Sequence, residues 1–218
     1  MAPDSLVLHG GGGPLTVAPL VLHLSSSYAV WAPTHPGWEG SPLPAGTTIA
    51  DLADLYLARV AERRDVVVVG SSIGGWIALE MALRDTTGTV GSLVLVDSVG
   101  VDVPGAPITP FVPDLDAFPA ERRVAMMANG ASLAALAGSP YMHDPGLLDR
   151  LRDVGVPTLV LWGSDDGVVS PAYGAALAAA IPGAQFAVVD GAGHLPHLEA
   201  QAATTALIDE FLATVRPG

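Results

Sequence analysis

The chain has 218 residues, half of them hydrophobic and 14% charged, with a formal net charge of −13 at pH 7. That is the size of one α/β domain, with apolar material for a sizeable core and too little charge for a disordered chain. An acidic chain whose every cationic side chain is Arg repels a phosphate backbone, which excludes nucleic acid as a partner, and the lack of cysteine excludes disulfides, Cys-based zinc sites and a thiol nucleophile.

Short β-branched runs alternate with longer stretches at helical spacing, the pattern of parallel strands joined by helices. The first predicted strand, Ser5–His9, ends in Gly10–Gly13, and a helix follows over Pro14–Leu24. A second strand, Tyr28–Ala32, leads into the loop PTHPGWEGSPLP and a helix over Thr48–Arg64 with Ile49, Leu52, Leu55 and Val60 at helical spacing. Asp65–Gly70, DVVVVG, is apolar almost throughout, as a strand covered on both faces must be. A helix over Gly74–Arg84 comes next, then strands Ser92–Asp97, Thr158–Gly163 and Gln185–Asp190, the last flanked by helices over Pro171–Ala180 and Glu199–Val215. The result is a mostly parallel, doubly wound α/β sheet of about six strands. The proline-rich stretch between the fourth and fifth strands, with its Arg122–Arg123 pair, is long for a crossover. It reads as a small helical lid over residues 100–152, inserted into a core of residues 1–99 and 153–218. No uncharged apolar run is long enough to span a membrane, and the opening MAPDSLVLHGGGG lacks the n- and h-regions of a secretory leader, so a cytoplasmic protein without a membrane partner is expected.

The sharpest local signal is Gly70-Ser71-Ser72-Ile73-Gly74, which fits G-x-S-x-G. Small flanking residues let the chain make a strained strand-to-helix turn that presents the central Ser, and DVVVV before it with GWIALEMA after it supply that context. Ser71 is one residue out of register and is expected to pack or cap. A serine hydroxyl needs a base to take its proton. Of six histidines, His194 lies just past the last strand, on a loop that can reach the strand tips. His9 is expected to brace the glycine loop, His197 to pack or cap the next helix, and His23, His35 and His143 to lie on the surface or in the lid. The base in turn needs an orienting carboxylate. Asp165 or Asp166, ending LVLWGSDD, could serve; Asp97 is a weaker candidate, and Asp190 is expected to cap its loop.

Taken together, HGGGGP at 9–14, PTHPGWEGS at 33–41, GSSIGG at 70–75, LWGSDDGVVSP at 161–171 and GAGHLPHLE at 191–199 resemble the α/β-hydrolase superfamily, and within it the small esterases and carbon–carbon-bond hydrolases. The resemblance covers nearly the whole chain in the family's order of nucleophile, acid and histidine. It implies Ser72 as nucleophile, His194 as general base and Asp166, the third residue after Gly163, as the acid. It further implies an oxyanion hole from the main-chain N–H groups of Gly11, Gly12 and Ile73, no cofactor and no metal. The implied reaction is acyl transfer on a small apolar substrate, an ester, thioester, lactone or activated C–C bond, with Phe111, Met126, Met127 and Tyr141 lining the acyl pocket. A lyase or cyclase using the same residues, or a hydrolase-like receptor, are the alternatives. Two departures stand out: His35 occupies a position where many relatives have Asp, and only four residues precede the HG strand, where relatives carry a β-hairpin. Without that hairpin, Tyr28–Ala32 becomes an open edge, which predicts either a cover from residues 37–46 or a homodimer paired through that strand.

Overall fold

The computed structural model describes residues 2–110 and 120–215, without the side chains of 120–123, 125 and 126. Six strands form one sheet: β1 (Asp4–Leu8), β2 (Ala29–Trp31), β3 (Val66–Ser71), β4 (Val90–Val96), β7 (Thr158–Gly163) and β8 (Gln185–Val189). Their order is β2-β1-β3-β4-β7-β8 and every pairing is parallel. Two-residue strands β5 (Gly100–Val101) and β6 (His143–Asp144) pair separately.

The period of two in the strands divides the core. Leu6, Leu8, Val66, Val68, Leu93, Leu95, Val160 and Trp162 face α2 (Ile49–Val60), α3 (Ile73–Arg84) and α6 (Pro171–Ala180). The alternate residues Val7, Val67, Val69, Val94, Val96, Leu159 and Leu161 face α1 (Ala18–Leu24) and α8 (Gln201–Val215). Strands covered on both faces can be apolar without interruption, and β3 and β7 are buried at every residue.

Local chemistry sets the helix bounds. A reciprocal capping box starts α2: the Asp51 N–H donates to the Thr48 hydroxyl, and the Thr48 N–H to the Asp51 carboxylate. The helix expected over 14–24 divides into a 3₁₀ turn, Pro14–Val17, and α1, because Pro19 is tolerated only in a first helical turn. The last expected helix, Glu199–Val215, begins at Gln201 as α8: Glu199 instead ends a separate short helix, α7 (Pro196–Glu199), with Ala200 non-helical between them.

Between β4 and β7 lie α4 (Ala120–Ala137) and α5 (Leu147–Arg150). Leu136, Ala137, Met142, Leu147 and Leu151 are buried in the same cluster as Trp76 and Trp162. Arg150 anchors this stretch by pairing with the buried Glu80 of α3 at 2.6 Å and with Asp144 at 2.7 Å. At the far side, β2 pairs only with β1, and Trp31 is 38% exposed, edge-on to Tyr56. Residues 37–46 turn toward α4: the Ser132 hydroxyl donates to the Gly37 carbonyl at 2.6 Å, and the Glu39 N–H donates to Asn129 Oδ1 at 3.4 Å.

A buried aromatic cluster braces the loop after β1. The His35 N–H donates to His9 Nε2 at 3.0 Å, so His9 carries its proton on Nδ1 and donates it to the Gly10 carbonyl at 2.7 Å. His35 Nε2 donates to the His9 carbonyl at 2.9 Å, leaving Nδ1 to accept from the Tyr56 hydroxyl at 2.6 Å. Trp38 Nε1 donates to the Gly11 carbonyl at 2.9 Å. His35, expected at the surface or in the lid, is therefore fully buried: it satisfies main-chain groups of the glycine loop that would otherwise be buried without partners. His23 does lie at the surface, paired with Asp209.

Burial pushes His9 and His197 down to about 4 and His35 well below 6.5. All three take up protons on unfolding below pH 6.5, the ordinary histidine value, so their contribution is complete above that pH and falls away toward pH 4. Asp97, whose carboxyl burial pushes up to about 10, opposes this by one proton. Each uncompensated histidine changes stability by up to about 1.4 kcal/mol per pH unit in that window. The urea midpoint should therefore be clearly lower at pH 5 than at pH 7; equal midpoints would contradict the buried neutral histidines.

Candidate active site

Strand β3 runs out at Ser71, and the chain turns at once into α3. Ser72 makes the turn with φ 55° and ψ −118°, a left-handed conformation rare for a residue with a side chain. The turn is held from both sides: the Ser72 N–H donates to the Val96 carbonyl at 2.9 Å, and its carbonyl accepts from Gly75, Trp76 and Val99. Glycine is required on each flank by proximity. A Cβ on Gly70 would lie 2.3 Å from the Gly74 carbonyl oxygen, and one on Gly74 2.3 Å from that of Leu8. Ser71, the out-of-register neighbour, is fully buried, and its hydroxyl has no partner among the described residues.

Two further strand ends bring ionisable groups to Ser72. The loop after β8 places His194 with Nε2 3.1 Å from the Ser72 hydroxyl. The loop after β7 places Asp166 with Oδ2 2.8 Å from His194 Nδ1. The other Asp166 oxygen accepts the N–H groups of Val168 at 2.7 Å and Val169 at 3.1 Å. Burial alone would raise this carboxyl, but the hydrogen bond and charge of His194 and the two N–H groups outweigh it and hold Asp166 below its ordinary value. Asp165 is exposed and accepts from the Ser164 hydroxyl. Asp190, expected to cap its loop, is exposed, and Ser164 Oγ takes the Gly191 N–H at 2.8 Å instead.

The sequence reading gave Glu199 no role. Its carboxylate accepts the N–H groups of Gly193 at 2.7 Å and Leu195 at 3.2 Å, clamping the loop on both sides of His194. Two N–H groups of one tight loop needing acceptors were the available signal, since GAGHLPHLE holds one acid within reach. His197 is fully buried and bonds the Thr16 carbonyl at 3.0 Å.

The glycine loop packs directly on this turn: a Cβ on Gly10 would come within 3.2 Å of the Ser72 Cβ. Because Trp38 and His9 take the Gly11 and Gly10 carbonyls on the inner side, the loop's orientation is fixed. Neither the Gly11 nor the Ile73 N–H has a hydrogen-bond partner among the described residues. Leu133 of α4 covers the loop, 2.7 Å from where a Gly11 Cβ would stand, while Gly12 is exposed.

The expected acyl-pocket residues are placed less centrally. Phe111 and the side chain of Met126 lie outside the described residues. Met127 is 63% exposed, and Tyr141, 40% exposed, lies on a cleft of about 330 Å³ beside Val101, Ile108, His143 and Tyr173. Neither forms a hydrogen bond or ring contact with Ser72, Asp166 or His194. Among the described residues one group of three potential metal ligands occurs, Asp97, Asp166 and His194. Both ring nitrogens of His194 are already engaged, one by Asp166 and one by Ser72. No helix among the described residues is long and apolar enough to cross a membrane.

A family model described as the alpha/beta hydrolase family matches residues 6–207. The chain is 30% identical, over an alignment that covers 96% of it and 98% of the relative, to a pimeloyl-[acyl-carrier protein] methyl ester esterase of Aromatoleum aromaticum. It is 27% identical to a 2-hydroxy-6-oxononadienedioate/2-hydroxy-6-oxononatrienedioate hydrolase of Cupriavidus pinatubonensis, covering 97% of this chain and 87% of that one. In fold it is similar to a thermophilic esterase from Thermogutta terrifontis, with a TM-score of 0.79 at 24% identity over 100% of this chain and 92% of that one. The chain belongs to the alpha/beta hydrolase family and is a hydrolase.

Proposed function

We propose that this enzyme is a serine esterase that cleaves a carboxylic ester of a small to medium apolar substrate through an acyl-enzyme on Ser72. The observation that carries the reading is the continuous hydrogen-bonded chain from the Ser72 hydroxyl through His194 to Asp166. In it, His194 Nε2 takes the hydroxyl proton as the oxygen attacks the ester carbonyl, then returns it to the departing alcohol. Asp166 holds the ring in the tautomer with a proton on Nδ1 and stabilises the imidazolium as it forms. Water activated by the same nitrogen then releases the acid. The N–H groups of Gly11 and Ile73, with Gly12 at the rim, receive the developing oxyanion, each contributing roughly 3 kcal/mol in the transition state. The methyl ester named for the Aromatoleum relative supports an ester over the other acyl substrates that this machinery could attack.

Turnover of p-nitrophenyl esters of increasing chain length tests the class and grades the acyl pocket. Ser72→Ala should abolish hydrolysis with unchanged circular dichroism, while Ser71→Ala should keep most of it; an active Ser72→Ala enzyme would overturn the assignment. Asp166→Asn should lower turnover on the order of 10⁴-fold, because the ring loses the partner that fixes its tautomer. Asp165→Asn should be close to wild type, and the reverse ranking would move the role to Asp165.

A further inference from the structure

Two carboxyl groups meet behind the His194 ring. Asp97 follows β4 with φ 45° and is fully buried. Its N–H donates to the Leu161 carbonyl at 3.0 Å, and its Oδ1 accepts the Gly163 N–H at 2.9 Å. Its Oδ2 is buried and has no donor among the described residues. One oxygen of Asp97, one oxygen of Asp166 and one ring nitrogen of His194 all lie within 4.8 Å of one another.

Two carboxylates this close in a buried site do not both ionise. The proton belongs on the one whose charge is less well supported. Asp166 has three donors, from His194, Val168 and Val169, whereas Asp97 has one, from Gly163. A proton on Asp97 Oδ2 also turns an orphaned acceptor into a donor, and the nearest carboxylate able to accept it is Asp166.

We propose that Asp97 is a positioning residue that stays protonated in the working enzyme and donates its carboxyl O–H to Asp166, fixing that carboxylate against His194. The proposal rests on the reading of Ser72, His194 and Asp166 as the catalytic residues. The groups that face Asp97 point the same way. Burial has the largest effect in raising its carboxyl; the charge of Asp166 and a hydrogen bond to it, and the charge of Glu199, add to this, and the Gly163 N–H opposes it. His194, itself flanked by His197 and Asp166, is the group that feels the result. A donor on Asp166 withdraws electron density from that carboxylate and loosens its hold on the His194 Nδ1 proton, a hold that loss of the donor strengthens.

Asparagine reproduces a protonated aspartic acid here, with a carbonyl to accept from Gly163 and an N–H to donate to Asp166; leucine reproduces neither. Asp97→Leu should lose about 10–100-fold in kcat, the cost seen when the hydrogen-bonded outer partner of a metal-ligating side chain is removed. Its acid limb of kcat/KM should move to higher pH, and Asp97→Asn should rescue most of the turnover with the limb unmoved. Independently of turnover, infrared difference spectra at neutral pH should show a carboxylic-acid C=O band in the wild type that Asp97→Asn removes. The low-field His194 Nδ1–H proton resonance should hold its position in Asp97→Asn and shift in Asp97→Leu. If Asp97 is instead ionised, removing its charge in Asp97→Asn lowers the acid limb and no acid band is lost, and either result overturns the proposal. Failure of the Ser72 reading would appear as a wild-type enzyme without ester turnover, and the infrared band would still decide the state of Asp97.

Discussion

The centre of the molecule is a place where main chain packs on main chain with no room for side chains between. The turn at Ser72 holds a non-glycine residue at positive φ, which costs of order 1–3 kcal/mol and persists only where the surroundings leave no alternative. Those surroundings are two strand ends: that of β1, with the glycine loop after it on one side and the Leu8 carbonyl against Gly74 beneath, and that of β4, with the Val96 carbonyl on the other side. The strain lifts the Ser72 hydroxyl out of the sheet edge to the spot that His194 reaches, while Ser71, one residue earlier in the same strand, is sealed inside. Parallel pairing makes this possible, because all six strands deliver their C-terminal ends, and the loops that follow, to the same side.

Around that turn, two kinds of buried ionisable group are separated by what they bond to. His9 and His35 are neutral structural parts whose tautomers are set by main-chain partners, and burial keeps them from taking a proton. Asp166 is buried as well, yet it is held ionised because two N–H groups and His194 all point at it. The charge that the chemistry needs is concentrated on one side of the His194 ring, and the glycine loop on the other side is braced by groups that carry none. Glu199 completes the frame from outside, holding the loop that bears His194 through the N–H groups of Gly193 and Leu195.

Much of this was legible in the sequence because it is written in local patterns. The β-branched runs of β3 and β7 announce strands covered on both faces, and GSSIG between a strand and a helix announces the turn. The roles of His35 and Asp97 were not legible, and for a common reason: each is defined by partners distant in sequence. His35 looks like a polar loop residue until the His9 and Tyr56 partners arrive from 26 and 21 residues away. Asp97 reads as a weaker candidate for the orienting carboxylate, and only the fold shows that its second oxygen is sealed in beside another carboxylate. The contacts of Gly37 and Glu39 with Ser132 and Asn129 of α4 were not legible either, because a sequence pass cannot place a helix 90 residues downstream. The stretch expected as a small helical lid contributes Leu147 and Leu151 to the main core, since a period of hydrophobic residues does not say against which surface it is buried.

The account stands on the Ser72 hydroxyl being the atom that attacks. A fluorophosphonate reacts with such an oxygen only when a base and an oxyanion site activate it. Mapping the adduct by fragment mass spectrometry on the tryptic peptide Asp65–Arg84, which holds both Ser71 and Ser72, resolves the two candidates directly. The predicted result is one phosphonyl group on Ser72 in the folded enzyme and none after heat unfolding; an ester-hydrolysing enzyme that takes up no label, or takes it on Ser71, would contradict the account.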